Sequence, residues 1–230
     1  MKILALIPAR GGSKRLPGKN IKNLATKPLI VWSIDVAKRN QDICDILVST
    51  DSPDIAAIAR DSGTLAPWLR PAVLSSDTAP TLDVALHALD WYEREKGIVD
   101  GLLLLQPSSP FRSDETVRHG IDLFRRNPQR SVVGVSPAVS HPMWCFRVVD
   151  DAIIPFLEGG GLHLRSQDLP PAYVVNGAFY LLAPDYLRNS RSFYNEPVPL
   201  VMNDPREALD IDTDYDWLLA EAILGLNCRT

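Results

Sequence analysis

KILALIP at residues 2–8, running directly into the loop PARGGSKRLPGKNIKN at residues 8–23, decides the fold. The apolar run is short and continuous, as in a strand buried on both faces of a parallel sheet. It ends in glycines and cations, at the position where open α/β sheets bind ligands. A helix is predicted next: PLIVWSIDVAKR (28–39) has apolar residues at 30, 31, 34 and 37, the stripe of a helix packed on a sheet. ILVS (46–49) reads as a second strand, after which Ser52 and Pro53 cap a helix that Gly63 closes. The alternation continues with a helix over 82–95 and the strand GLLLL at 101–105. A helix capped by Ser113, with Val117, Ile121 and Phe124 on one face, then leads to a strand at 131–135. Strand and helix alternating in this way predict a doubly wound α/β fold with a mainly parallel sheet. From Ser136 the pattern changes. Residues 137–175, with their Gly159–Gly161 triplet, read as short antiparallel strands and loops inserted in a single domain spanning 1–230. The frame resumes at AFYLL (178–182) and ends in a helix over 214–224.

With 46% hydrophobic and 23% charged residues, the 230-residue chain has the composition of a folded protein, which excludes disorder and coiled coil. Nineteen prolines imply many ordered loops. A net charge of −4 offers no general field for nucleic acid or an anionic membrane, so neither is an expected partner and any anion site must be local. Cys44, Cys145 and Cys228 lie far apart and lack metal-ligand spacing, which argues against a disulfide framework or a zinc site and points to a reducing cytoplasm. The apolar stretch 3–9 meets Arg10 too early for a signal peptide, and no run approaches the roughly 18 apolar residues of a membrane span.

Three segments carry chemistry. The first loop holds Arg10, Lys14, Arg15, Lys19 and Lys22, with no acid before Asp35. Gly11, Gly12 and Gly18 let its backbone bend around an anion with N–H groups inward while the cations neutralise charge, a pattern suited to phosphates. It is neither a Walker A loop, since Gly12 and Gly18 are six apart and Asn20 follows Lys19, nor a GxGxxG turn. A solvated basic loop is the competing reading. In the second segment, Asp210-Ile211-Asp212-Thr213, an extended strand would aim both carboxylates at one point, where they can share a hard divalent cation with phosphates. Thr213 is equally a good N-cap with Asp216 at N3, so the acids can instead complement a helix dipole. The third, LQPSSPFR (105–112), closes an apolar strand with the polar Gln106, though Pro107 and Pro110 can simply shape a turn. His87, His119, His141 and His163 show no nucleophile–base spacing, and no GxSxG elbow supports acyl transfer.

PARGGSKRLPGKNIK (8–22), VSTDS (48–52), LRPAVLSSDTAPT (69–81), LLQPSSPFR (104–112), NGAFY (176–180) and DIDTDYD (210–216), in this order over nearly the whole chain, resemble the acylneuraminate cytidylyltransferases, or CMP-sialic acid synthetases. The resemblance implies a Rossmann-like nucleotidyltransferase in which CTP and a 2-keto-3-deoxy sugar acid react with Mg2+ to give a CMP-sugar and pyrophosphate. It places Arg10, Gly11, Gly12, Ser13, Lys14 and Lys19 on the triphosphate, and Asn20, Arg70, Ala79 and Thr81 around the cytidine. Gln106, Ser108, Arg165, Gln167, Asn176 and Tyr180 fall on the sugar side. Asp210 and Asp212 bind the metal and, with Arg10 and Lys19, carry catalysis. Such relatives dimerise through the inserted region and lend residues across, which implies a homodimer with His141, Arg165 and Gln167 at the partner's site. Met143, Trp144, Phe146, Ile153, Ile154 and Phe156 fit that expectation, being more apolar surface than a lone insertion exposes. Where sugar-side cations occur in sialate relatives, this chain has Trp144, Ser166 and Val174-Val175. The expected substrate therefore widens from sialic acid to nine-carbon analogues of the legionaminate or pseudaminate type. A metal-dependent glycosyltransferase with a DxD pair and a non-catalytic nucleotide-binding module are the other readings.

Overall fold

A computed structural model describes residues 1–159, 163–194 and 196–227; Gly160, Gly161 and Cys228 lie outside the described residues. The predicted first strand is β1 (Ile3–Pro8), and its alternation explains the layers around it. Ile3, Ala5 and Ile7 pack into one cluster with Ile30 and Ile34 of α1 (Leu29–Lys38), Ile55 and Ala56 of α2 (Pro53–Asp61), and Val117, Ile121 and Phe124 of α4 (Asp114–Arg126). Leu4 and Leu6 turn to the opposite face, where they meet Ala85, Ala88 and Leu89 of α3 (Thr81–Lys96) and Leu187 of α5 (Pro184–Ser190). Helices thus cover both faces of one sheet, as the alternating pattern predicts.

A two-residue pairing, β2 (Asn23–Leu24) with β3 (Lys27–Pro28), stands between the first loop and α1. The main sheet comprises β1, β4 (Ile43–Ser49), β5 (Gly101–Leu104), β6 (Val132–Pro137), β9 (Tyr173–Leu182) and β10 (Val198–Val201), in the order β10-β6-β9-β5-β1-β4. β4, β1 and β5 run parallel, as do β6 and β10, while β9 lies antiparallel between β5 and β6. The sheet is therefore mainly parallel, and the loops after β1, β4 and β5 open at its carboxyl edge. Ser52 caps α2 by accepting from the Ile55 amide, and Ser113 caps α4 from Thr116, both as read from sequence.

The inserted region carries β7 (Phe146–Val149) and β8 (Ala152–Pro155), an antiparallel hairpin that forms its own two-stranded sheet. Its apolar side chains stand in solvent, with Ile153 and Phe156 each 62% exposed. β9 differs from the sequence expectation. It begins at Tyr173 and not at Ala178, because Asn176-Gly177 forms an irregularity that the strand runs through. Gly177 takes φ +75°, and the Asn176 carboxamide oxygen accepts from the Ala178 amide, so the strand absorbs the kink and continues. The chain closes with α6 (Asp214–Asn227), which buries Trp217 and Ala220 against Leu16, Leu24, Leu29 and Ile211. No helix among the described residues is long and apolar enough to cross a membrane.

Candidate active site

The loops after β1 and β5, the turn before α3 and the segment before α6 enclose a cleft of about 320 Å³. Arg10, Lys19, Asn20, Arg70, Ala79, Thr81, Gln106, Ser108, Asp210 and Asp212 all line it. Packing ties two of its sides together: Leu16 of the first loop and Ile211 of the last segment share one buried cluster. Lys19 Nζ spans the same gap, donating to the Ile211 carbonyl at 2.7 Å and to Asp212 Oδ1 at 2.9 Å. Asn20 closes the loop on itself through Nδ2, which donates to the Arg10 carbonyl at 2.9 Å, and leaves Oδ1 buried without a partner. Ser13, Lys14 and Arg15 line a recess beside the cleft together with Arg10 and Lys19.

Two details of this loop depart from its reading in sequence. The Gly11 amide does not point at an open anion site; it donates to Asp51 Oδ1 at 2.8 Å, because β4 ends beside it and supplies a carboxylate. Lys22 leaves the cleft altogether, its ammonium lying 4.2 Å from the centre of the Trp217 ring. Gly12 faces open space, with nothing within 4 Å of where a Cβ would stand.

The 210–212 segment is a loop instead of the expected extended strand. Its Ile211 amide donates to the Ser108 carbonyl at 2.8 Å, in another loop, and α6 begins too soon for a ladder to form. The consequence of alternation survives all the same: Ile211 is buried, and both flanking carboxylates face the cleft. Asp212 is held by Lys19 and, through Oδ2, by Arg15 at 2.5 Å. Asp210 is raised above the ordinary carboxylate range, chiefly by desolvation, against a hydrogen bond from Ser108, with the charge of Asp212 adding to the rise. The capping role is also present: Asp216 Oδ2 accepts from the Asp212 and Thr213 amides at 3.0 and 2.8 Å, and the Asp216 amide donates to Thr213 Oγ1.

Arg70 is only 7% exposed, yet its Nε and one terminal nitrogen lack partners, leaving guanidinium donors at the cleft wall. Burial pushes this guanidinium below its usual range, with the nearby Asp51 charge opposing and that of Arg10 adding. Arg112 plays a supporting part. Fully buried, it donates from both terminal nitrogens to the Gln106 carbonyl at 3.0 Å and so fixes the loop that carries Gln106 and Ser108.

A second, larger cavity of about 860 Å³ adjoins the first, and only Gln106 and Asp210 line both. Its walls are mostly apolar, among them Val139, Val174, Val175, Met202 and Leu209, with no Lys or Arg among the described residues that line it. Tyr180 is buried there, its hydroxyl 3.2 Å from that of Tyr194; burial, then this bond, raises the Tyr180 phenol well above its usual range. Asn176 lines the cavity but commits its amide to Met202 and Ala178. Arg165 and Gln167 are not brought to either cavity in this chain. They sit on the exposed arm around the turn Ser166–Asp168, with Arg165 at 3.7 Å from Asp168. His141 caps the turn Pro142–Trp144 and bonds the Pro170 carbonyl, and His87 lies edge-on to Trp68. Asp51, Asp77 and Tyr194 were not singled out from sequence; the two acids fall inside the quoted motifs VSTDS and LSSDTAPT, whereas Tyr194 carries no local signal.

The fold and cleft define a Rossmann-like nucleotidyltransferase, and the comparisons narrow this. Residues 4–137 match the family profile described as cytidylyltransferase. The CMP-N,N'-diacetyllegionaminic acid synthase of Legionella pneumophila is 41% identical over 99% of this chain and 98% of its own length. The pseudaminic acid cytidylyltransferase of Campylobacter jejuni is 30% identical over 99% of this chain and 98% of its own. Among solved structures, CMP:2-keto-3-deoxy-manno-octonic acid synthetase complexed with CTP superposes with a TM-score of 0.71 at 18% identity, covering 99% of this chain and 100% of that one. The chain belongs to the cytidylyltransferase family.

Proposed function

We propose that this chain activates a nine-carbon 2-keto-3-deoxy sugar acid with CTP, releasing pyrophosphate, and that the sugar is of the diacetamido type named in its Legionella relative. The observation that carries the reading is the meeting of two unlike cavities at Gln106 and Asp210. One side offers cations for a triphosphate; the other offers an apolar, cation-free bowl for acyl and deoxy groups. A charged nucleotide in the first and a sugar acid in the second would bring the anomeric hydroxyl to the α-phosphorus at that junction. The hydroxyl oxygen forms the new bond to phosphorus in line with the breaking bond to pyrophosphate, and its proton passes to solvent. Arg10 and Lys19 stabilise charge growing on the phosphate oxygens. Arg70 donates to the O2 and N3 acceptors of cytosine; uracil carries a donor at N3, a mismatch of about 1–3 kcal/mol.

The family resemblance calls for Mg2+, and the residues suit it. Asp210 and Asp212 are hard oxygen donors facing one cleft, and their mutual repulsion would be relieved by a divalent cation. Two carboxylates are a donor set matched to an ion that fills the rest of its shell with phosphate oxygens and water. When bound, Mg2+ neutralises phosphate charge and lowers the pKa of a coordinated hydroxyl. Arg15, whose side chain is 68% exposed, would have to release Asp212 first.

We assign the inserted arm to a homodimer in the cytoplasm. Exposed Val148, Ile153, Ile154 and Phe156 need a cover that the sheet's own helices do not supply, and a twofold contact between arms is self-complementary. Arg165 and Gln167, stranded on the arm, would then reach the neighbour's cation-free cavity. Two measurements test the reading. Incubation with labelled CTP, Mg2+ and a panel containing diacetyllegionaminate, pseudaminate, N-acetylneuraminate and an eight-carbon acid should release pyrophosphate fastest with the first; release only from a finished nucleotide sugar with an acceptor would mark a glycosyltransferase, and CTP binding without turnover a binding module. Light scattering should give twice 25.5 kDa, and a fully active monomer would refute the shared site.

A further inference from the structure

One carboxylate of the cleft belongs neither to the 210–212 pair nor to the strand ends. Asp77 lies in the turn that follows the short helix Ala72–Leu74. Arg10 donates to its Oδ1 at 2.5 Å, and the Lys14 ammonium pairs with its Oδ2. The Lys14 hydrogen bond, reinforced by Arg10, holds the Asp77 carboxyl below the usual range, so it is charged at neutral pH. The same carboxylate lines both the main cleft and the recess beside it.

We propose that Asp77 is an internal occupant of the phosphate site, a carboxylate that Arg10 and Lys14 exchange for nucleotide phosphate. The inference rests on the phosphate reading of the 8–22 loop given above. Cations crowded on one short loop repel one another, and in this structure each is balanced from elsewhere in the chain: Arg10 and Lys14 by Asp77, Arg15 and Lys19 by Asp212, and Lys22 by the face of Trp217. A polyphosphate outcompetes Asp77 because it brings more charge and more acceptor oxygens to the same donors. The tethered carboxylate nonetheless remains at high effective concentration and returns when phosphate leaves. Asp77 thereby lowers the standing affinity for pyrophosphate, the product that must depart. Its release also frees the turn on which Ser76 and Ala79 line the nucleotide cleft, so phosphate entry and the shape of that wall are coupled.

Calorimetric titration of pyrophosphate into the full chain tests this, with Asp77→Asn, Lys14→Gln and the double variant alongside and CTP titrated in parallel. Losing two exposed ion pairs should tighten pyrophosphate binding by about three- to tenfold in Asp77→Asn. In the Lys14→Gln background the same replacement should gain clearly less, since one of the two pairs is already gone. Equal or weaker binding by Asp77→Asn overturns the proposal, as does an equal gain in both backgrounds, which would mark a general field effect. If the unaltered chain binds neither pyrophosphate nor CTP, the phosphate reading itself fails instead.

Discussion

The two cavities that meet at Gln106 and Asp210 are built by opposite means. The nucleotide side draws most of its cations from one contiguous loop, residues 10–19, and neutralises them with carboxylates from far along the chain. The second cavity takes its walls from β6, β9, the loop before α6 and Tyr194, in short runs such as 174–177 and 208–210 drawn from across residues 106–216, with no Lys or Arg among the described residues that line it. A charged site can be written compactly, because a few guanidinium and ammonium groups dominate its field. An apolar bowl needs surfaces from several elements. On the proposed reading, activation chemistry belongs to the cleft and sugar choice to the bowl, so substitutions on the two sides should fail differently.

The largest effect is expected on the charged side. Asp212→Asn removes the partner of both Lys19 and Arg15 and half of the carboxylate pair, and pyrophosphate release should fall by about 10²–10³-fold, as when one preorganised electrostatic group is lost. Near-normal turnover would detach the pair from catalysis. Arg70→Met comes next. It should erase most of the preference for CTP over UTP, roughly tenfold, while leaving the KM for the sugar unchanged. Equal CTP preference in the variant would show that the base is read elsewhere.

On the other side, Gly177→Ala forces a Cβ into a left-handed backbone position, 3.1 Å from Gln106 Oε1. Strain of about 1–2 kcal/mol is expected in thermal unfolding, together with a several-fold rise in KM for the sugar and little change for CTP. A matching rise for CTP would mean the two cavities do not act separately. The smallest effect concerns the cap that joins them. Asp216→Ala should cost about 1 kcal/mol of stability. Burial opposes ionisation of this carboxyl, but the Thr213 hydroxyl and two backbone amides outweigh it and hold its pKa below the ordinary value. Its contribution is thus complete above the unfolded carboxylate range near pH 4 and fades as pH falls through the lower folded value, so melting curves of the two proteins should converge in acid.

The same contrast explains what was legible in the sequence. β1 and its loop announce themselves because burial, glycine and charge follow one another in order along the chain. α2 and α4 do so because their Ser caps and apolar faces are local. β10 was missed: VPLV carries Pro199, which hides an edge strand whose partner lies only on the β6 side. α5 is a single short stretch with little pattern. The sequence reading started this strand at Ala178, and only the ladders on either side of β9 show that it begins at Tyr173 and runs through Asn176-Gly177. The pairing of Arg10 and Lys14 with Asp77 joins residues more than 60 positions apart, and no local spacing encodes it.

The place of β9 has a consequence in time. Because it is threaded antiparallel between β5 and β6, those two strands do not pair with each other, and the sheet holds an open slot until residues 173–182 arrive. About 50 residues separate Val132 from its β9 partner Leu181, so at typical synthesis rates the slot stays open on the ribosome for roughly 3–10 s. The segment that matches the family profile ends at residue 137, before the wedge is made. Expressed alone it would leave the β5 edge and both edges of β6 unpaired, and it should be recovered as aggregate instead of as a smaller working enzyme.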